Sequence, residues 1–312
     1  MAVNVDAVIP AYKPGEDLLD LLEKLQKQTV PVNRIIIINT EREFFDEKLY
    51  KIASNIEVVH ITRQEFDHAG TRDMGMRMST GDYVLFMTMD AVPRDEKLVE
   101  RLLSGFDSGE IPVAVSYARQ LPKRGCRMAE KFTREFNYPE KSVIKTSADI
   151  ENLGIKTFFC SDVCAMYDRK IYERLGGFVP RAIFNEDMIY AAKAIDAGYG
   201  IMYCADAEVY HSHNYTCMEQ FRRNFDIGVS QAEHPEIFDR VSCESEGVKL
   251  VFKTAGYLLK HGHWYEVPHM VVTSAFKYIG YKKGRNFKKI SLKKCLKYTS
   301  NAEYWIESGI KM

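Results

Sequence analysis

An α/β fold, with a parallel, Rossmann-like sheet covered by helices and followed by a helical C-terminal extension, is what this sequence predicts. Three observations carry the prediction. Strand-like and helix-like segments alternate over residues 1–120, the rhythm of β-α-β units. Arg34 to Asn39 contains four consecutive isoleucines, the continuous apolar run of a strand buried on both faces. Glycine falls where the later helices must stop, at Gly176-Gly177 and at Gly198.

The elements follow in order. Val3 to Ile9 is a short β-branched run that ends in the turn Pro10-Ala-Tyr-Lys-Pro-Gly15. Glu16 to Gln28 places Leu18, Leu21, Leu22 and Leu25 at helical spacing. Ile56 to Ile61 is a strand, and Tyr83 to Thr88 another, entered through Gly81-Asp82. Val99 to Phe106 is helical. From Arg119 to Leu153 the pattern loosens, and loop with irregular helix over an active site is expected. Val163 to Tyr167 and Ile201 to Cys204 are strands, with helices at Lys170 to Leu175 and Glu186 to Ala197 between them. Beyond about residue 225 helical, aromatic-rich segments such as Val248 to Leu259 take over, so the chain divides into residues 1–225 and 226–312.

Composition excludes several classes. The 43 basic and 43 acidic residues rule out a globally basic nucleic-acid binder and an acidic disordered chain. No apolar run is long enough to span a bilayer. Met1 to Pro10 does not read as a secretory signal. The 7 cysteines include no CxxC pair, and Cys160 and Cys164 lack zinc spacing; buried free thiols in a reducing cytosol are expected. Neither a P-loop nor a GxGxxG after the first strand is present.

Ligands of parallel sheets bind at the carboxyl ends of the strands, which directs attention to Pro10 to Lys13, Asn39 to Glu41 and Thr88 to Ala91. Asp90, just past an apolar strand, can hold Mg²⁺ or Mn²⁺ against a diphosphate, or simply cap the turn that follows. Glu186 and Asp187 start a helix behind Asn185, a plausible N-cap, and the helix dipole favours their ionised form. An ionised carboxylate there can act as a general base or serve helix stability alone. His211 and His213 lie two apart on an extended segment and share one face; they can supply an imidazole to a metal or hydrogen-bond in a loop. Arg72, beside Gly70 in Asp67-His68-Ala-Gly70-Thr-Arg72-Asp73, can set its guanidinium fork against a phosphate.

These segments, in this order, resemble the family 2 inverting glycosyltransferases with the GT-A fold. The carriers are Ile9-Pro-Ala-Tyr12, Thr71-Arg72-Asp73 before Gly81-Asp82-Tyr83, Thr88-Met-Asp90 and Glu186-Asp187. Phe66-Asp-His-Ala-Gly-Thr-Arg72, Thr88-Met-Asp-Ala-Val-Pro93, Ala118-Arg-Gln-Leu-Pro122 and His211-Ser-His-Asn-Tyr-Thr216 look like the bacterial rhamnosyltransferase branch. Within it, the chain is similar to enzymes of Gram-positive rhamnose-rich cell-wall polysaccharide synthesis.

The resemblance implies a mainly parallel mixed sheet with helices on both faces, a nucleotide-binding half at 1–120 and an acceptor half at 121–225. It implies an inverting, metal-dependent hexosyltransferase using dTDP-β-L-rhamnose and a lipid-linked polysaccharide acceptor. Pro10, Ala11 and Tyr12 would line the nucleotide pocket, with Asn39 and Thr40 near the base. Arg72 would meet the nucleotide or its diphosphate, and Thr88 and Met89 would belong to the same donor site. Asp90 would ligate Mg²⁺ or Mn²⁺, with His211 a further ligand. Asp187 would be the catalytic base, with Glu186 helping to hold the acceptor. Thr88 stands where the family's DxD pattern has its first acid, Asp73 where many relatives have Asn, and Asn39-Thr-Glu41 replaces the usual acidic pair, so the base is not settled by motif.

Lys277 to Lys297 holds nine Lys or Arg and no acid, interleaved with Tyr278, Ile279, Tyr281, Phe287, Ile290 and Leu292. Such a segment suits anionic lipid, a solvated face or a protein partner. The expectation is a cytoplasmic protein, peripheral on the inner face of the cell membrane; the aromatic content of the C-terminal part suggests a homodimer, and no nucleic-acid module is visible. A UDP-hexose donor is the nearest alternative, and a non-catalytic scaffold on the same fold the more distant one. A nucleotidyltransferase would carry a Gly- and Arg-rich loop where Pro10 to Gly15 stands.

Overall fold

The structure is a computed structural model that describes residues 3–107, 109–240 and 244–307. In chain order its main elements are β1 (Val5–Tyr12), α1 (Glu16–Leu25), β2 (Arg34–Thr40), β3 (Ile56–Ile61), α2 (His68–Met78), β4 (Tyr83–Met87), β5 (Val92–Pro93), α3 (Leu98–Ser104), β6 (Val113–Leu121), α4 (Met128–Asn137), β7 (Val143–Lys145), α5 (Ile150–Leu153), β8 (Cys164–Asp168), α6 (Arg169–Arg174), α7 (Glu186–Asp196), β9 (Gly200–Tyr210), α8 (Cys217–Glu233), α9 (Pro235–Phe238), α10 (Glu244–Lys260), α11 (Val267–Arg285), α12 (Leu292–Tyr298) and α13 (Ala302–Glu307). They form two compact units. The first comprises residues 1–121, 138–181 and 186–211; the second comprises 122–137, 182–185 and 212–312. The expected division at 225 falls inside α8, which belongs to the second unit.

The first unit is built on one mixed sheet of order β3-β2-β1-β4-β8-β6-β9-β5, with β7 beside β9. β1 to β4 run parallel, as do β6 and β9, whereas β8 runs antiparallel to both its neighbours. Successive side chains on a strand point to opposite faces. Ile35, Ile37, Leu85 and Met87 therefore face α1 and α3, and bury Leu18, Leu21, Leu22, Leu98 and Leu102. On the other face Val8 leaves room only for Gly75 of α2, where an added Cβ would strike its methyl groups. Phe86 and Tyr167 pack there against Phe178, Tyr190 and Tyr172. Helices thus cover both faces, as expected.

The parallel core lies where the isoleucine run put it. The loose stretch from Arg119 to Leu153 is more ordered than expected. It contains the end of β6, the ten-residue helix α4 and the short strand β7. Six of the ten residues of α4 are charged or polar, and its apolar face rests on Met128, Ala129, Phe132 and Phe136.

The second unit is helical. α8 and α11 touch backbone to backbone, because Gly228, Gly280 and Gly284 carry no side chain where they meet. Phe225, Phe287, Cys295 and Trp305 form its core. Phe287 is buried, and Ile290 and Leu292 pack against the same core. These three apolar residues of the basic segment therefore face inward rather than a lipid interface, while Tyr278 and Ile279 are exposed. Among the described residues no helix is long and apolar enough to cross a membrane. Six cysteines are free thiols, four of them buried; Cys243 lies outside the described residues.

Candidate functional site

The carboxyl ends of β1, β2, β4, β6 and β9 share one edge of the sheet of the first unit, and the start of antiparallel β8 joins them there. Every candidate residue on a strand end is brought to this edge. Ala11 stands beside Asn39 and Tyr12 beside Thr40 in the parallel register. Pro10 precedes them on β1, and the Tyr12 amide donates to the Met89 sulfur at 3.4 Å. The Tyr12 ring packs edge-on to Phe44, with Lys13 and Arg63 over it. Asn39 is fully buried and donates to the Glu41 carbonyl and to His60, yet its Oδ1 has no hydrogen-bond partner. The Thr88 hydroxyl is buried and unpartnered as well. Buried polar atoms are normally satisfied, so two such orphans at one edge suit a polar ligand.

Asp90 and His211 meet at this edge. His211 Nε2 lies 3.5 Å from Asp90 Oδ2. The other ring nitrogen, Nδ1, is 3.0 Å from Gln120 Oε1. The Gln120 amide nitrogen donates to Tyr138 and Ser161, which fixes Oε1 as the acceptor and so makes Nδ1 the donor. That leaves the Nε2 lone pair turned toward the carboxylate. Two facing lone-pair donors, one of them oriented from behind by an amide, fit a divalent cation.

The second cluster surrounds Arg72 of α2. Its Nη1 lies 3.0 Å from Glu186 Oε1 and its Nε 3.2 Å from Asp162 Oδ2. The resemblance sets Arg72 against the nucleotide or its diphosphate; its side chain is buried, and its Nε and Nη1 face carboxylates. Asp162 also accepts from the Tyr167 hydroxyl at 2.6 Å. Asp187 accepts from the Asp162 amide at 3.2 Å and from the Met188 amide at 2.7 Å. His68 faces Glu186 at 3.9 Å. The chain enters α7 through Asn185 at φ 62°, a left-handed conformation rather than the extended backbone of the N-cap expected there. The amide nitrogen of Asn185 has no partner.

Two carboxylates contact one guanidinium, and Asp187 adds its charge from nearby. Burial pushes the Asp162 carboxyl up to about 7, with Arg72 opposing and Glu186 reinforcing. Burial raises Asp187 well above the usual carboxylate range, and the charges of Glu186 and Asp162 add to it. The helix dipole was expected to keep Asp187 ionised; burial beside like charges outweighs it. Burial would lower the Arg72 pKa, but Glu186, Asp162 and Asp187 together raise it. The result is a carboxylate of heightened basicity beside a charge that is always present, the property a general base needs.

Asp162 and Gln120 were not singled out from the sequence. Gln120 lies within Ala118 to Pro122, a segment of the resemblance that assigns it no role. Asp162 had one available signal, an acid opening an apolar strand, but only the antiparallel direction of β8 brings it to the ligand edge.

The sequence profile described as glycosyl transferase family 2 matches residues 6–176. The chain is 35% identical over 305 residues to the O-antigen chain rhamnosyltransferase RfbN of Salmonella typhimurium, covering 97% of this chain and 96% of that protein. It is 36% identical over 301 residues to the O-antigen chain rhamnosyltransferase WbaN of Salmonella anatum, covering 96% and 94%. In fold it is similar to a mannosyltransferase, PcManGT of Pyrobaculum calidifontis, solved with GDP-Man and Mn²⁺, at TM-score 0.54 and 14% identity over 100% of this chain and 87% of that one. It is likewise similar to TarS 1-349 of S. aureus at TM-score 0.50 and 13% identity over 92% and 91%. With its GT-A-like sheet and these matches, the chain is a glycosyltransferase and belongs to glycosyl transferase family 2.

Proposed function

We propose that this enzyme transfers L-rhamnose from dTDP-β-L-rhamnose, with inversion, to a hydroxyl of a lipid-linked glycan. The observation that carries the chemistry is the Arg72-centred cluster, in which Asp187 is a carboxylate made strongly basic by burial. The near full-length likeness to two O-antigen chain rhamnosyltransferases supports the sugar.

In this reading Pro10, Ala11, Tyr12, Asn39 and Thr40 line the nucleotide pocket, and the unpartnered Asn39 Oδ1 and Thr88 Oγ1 gain partners from the donor. Asp90 and His211 hold Mg²⁺ or Mn²⁺, with Gln120 orienting the imidazole. When bound, that ion stabilises the charge on the departing diphosphate. Asp187 removes the proton from the acceptor hydroxyl. The oxygen forms its bond to the anomeric carbon as the bond to the diphosphate oxygen breaks, and the electron pair leaves with the nucleoside diphosphate. Attack from the opposite face turns the β-linked donor into an α-L-rhamnoside. Arg72, through its Nη1 contact with Glu186, holds that side chain beside Asp187.

The reading places the protein on the cytoplasmic, inner face of a membrane, where a lipid-linked acceptor is found. Two features of the second unit support this. Half-exposed or exposed apolar residues, among them Phe252, Leu259, Trp264, Tyr265 and Val271, concentrate between Val248 and Ile279. Residues 247–300 carry twelve Lys or Arg and a single acid, Glu266.

The test is nucleoside-diphosphate release from dTDP-rhamnose, UDP-glucose, UDP-galactose and UDP-N-acetylglucosamine with Mn²⁺ or Mg²⁺. Metal-dependent turnover of dTDP-rhamnose, lost in Asp90→Ala, is expected. Turnover of a UDP-sugar alone would overturn the donor. Absence of turnover with every donor and with membrane extract supplied as acceptor would overturn both the donor and the acceptor of this reading.

A further inference from the structure

The second unit contains a cleft of about 550 Å³ between α4, α8, α10 and α11. That volume lies within the range of small-molecule sites. Val248, Leu250, Val251, Met270, Tyr278 and Tyr281 give it apolar walls. One ammonium, that of Lys277, stands in these walls. Lys277 has neither a hydrogen bond nor an ion pair among the described residues. Its charged surroundings are one acid, Glu130, and two arginines, Arg134 and Arg223. Glu130 is already committed to Arg134 at 2.8 Å. Arg127 contributes a further positive charge to the lining. The cleft is therefore apolar over most of its wall and positive at one pole.

A partly buried cation that has no ion-pair partner is stabilised by an anion brought to it. Burial also lowers the Lys277 pKa, which an adjacent anion would reverse. A purely polar anion, such as inorganic phosphate, would leave the apolar walls wet. A neutral alkyl chain would leave the ammonium uncompensated. A single apolar chain with an anionic head satisfies both halves, and a phosphate head is the form that a lipid-linked acceptor would bring.

We propose that this cleft binds a single-chain lipid phosphate, with the chain against Val251, Leu250 and Met270 and the phosphate at Lys277. The site deepens the lipid-linked acceptor reading and rests on it, but its chemistry is measurable without any sugar transfer.

The experiment uses the full chain and decyl phosphate below its micellar concentration, followed by calorimetric titration. Decanol and inorganic phosphate serve as the chain-only and head-only probes. Saturable binding of one decyl phosphate per chain is expected, with decanol and phosphate each weaker by about 10-fold or more. Lys277→Met should weaken decyl phosphate by about 10-fold or more and leave decanol unchanged. Val251→Trp, which fills the chain end, should abolish both, and it tests the site separately if the lysine variant fails to fold. Lys289→Met, outside the cleft, should bind as the wild type does. Equal binding of decanol and decyl phosphate, or an unchanged affinity in both cleft variants, would overturn the site. Release of nucleoside diphosphate from dTDP-rhamnose by the same preparations separates the two readings. Turnover without decyl phosphate binding removes the site alone, and decyl phosphate binding without turnover removes the donor alone.

Discussion

Replacing Arg72 with methionine leaves Glu186 and Asp162 buried without their cation, and the resulting loss of stability should grow as the pH rises. The arms reach the two carboxylates at 3.0 and 3.2 Å. Each attraction is worth about 5 kcal/mol at an effective dielectric constant of about 20. Desolvation of the three groups offsets much of this, and removing one partner of a buried set costs about 3–5 kcal/mol in practice. For a domain of this size that is a fall in Tm on the order of 10 °C. The pH dependence follows from Asp162, whose folded pKa of about 7 stands above its unfolded value. Such a carboxyl contributes stability in full below the unfolded pKa and loses it as the pH climbs through the folded one. Arg72 holds that folded value down, so its removal extends the loss to higher pH. Near pH 5 Asp162 is protonated in both proteins, and only the Glu186 pair is lost. Calorimetric melting of wild type and variant at pH 5, 7 and 8.5 measures the difference. A deficit that is constant, or that shrinks as the pH rises, would refute the proposed charge arrangement.

Three further outcomes are expected. Asp187→Asn should lower sugar transfer by about 10²–10⁴-fold while donor affinity stays unchanged, and the wild-type rate should fall on acidification through the raised Asp187 pKa, a limb absent from the variant's profile. Gln120→Leu frees the His211 ring and should weaken Mn²⁺ binding by about 10–100-fold in a direct titration, with the melting profile checked alongside. Gly284→Ala puts a methyl group against the Phe225 carbonyl oxygen and should destabilise the second unit by about 1–3 kcal/mol or more, seen as faster proteolysis of that unit; unchanged proteolysis would contradict the close α8–α11 contact.

Much of the first unit was legible because its signals are local. The isoleucines of β2 read as a strand buried on both faces, and the leucines of α1 as one face of a helix. The ends of β1, β2 and β4 could be inspected for ligand residues because parallel strands present their carboxyl ends together. β8 was found as an apolar run, but its direction could not be read, since a strand's residues do not encode which way it runs beside a neighbour. Asp162 was missed for that reason. The same limit hid the pairing of Gln120 with His211, ninety-one residues apart in the chain. The basic, aromatic segment at 277–297 looked like one amphipathic surface, whereas Phe287, Ile290 and Leu292 turn inward because α12 and α13 close a core around Trp305.

The identity of the chemistry was a property of the sequence: an acid after a strand, an acidic pair opening a helix, an arginine and a histidine in fixed order, and the family they resemble. What only the tertiary structure decided was the state of those groups. Arg72 as the shared partner of Glu186 and Asp162, the raised pKa of Asp187, and the imidazole of His211 turned toward Asp90 all depend on distance and burial. Both are set by segments far apart along the chain. A charge's energy depends on what surrounds it in space, so the order of residues names the groups and the folded neighbourhood sets their protonation and their aim.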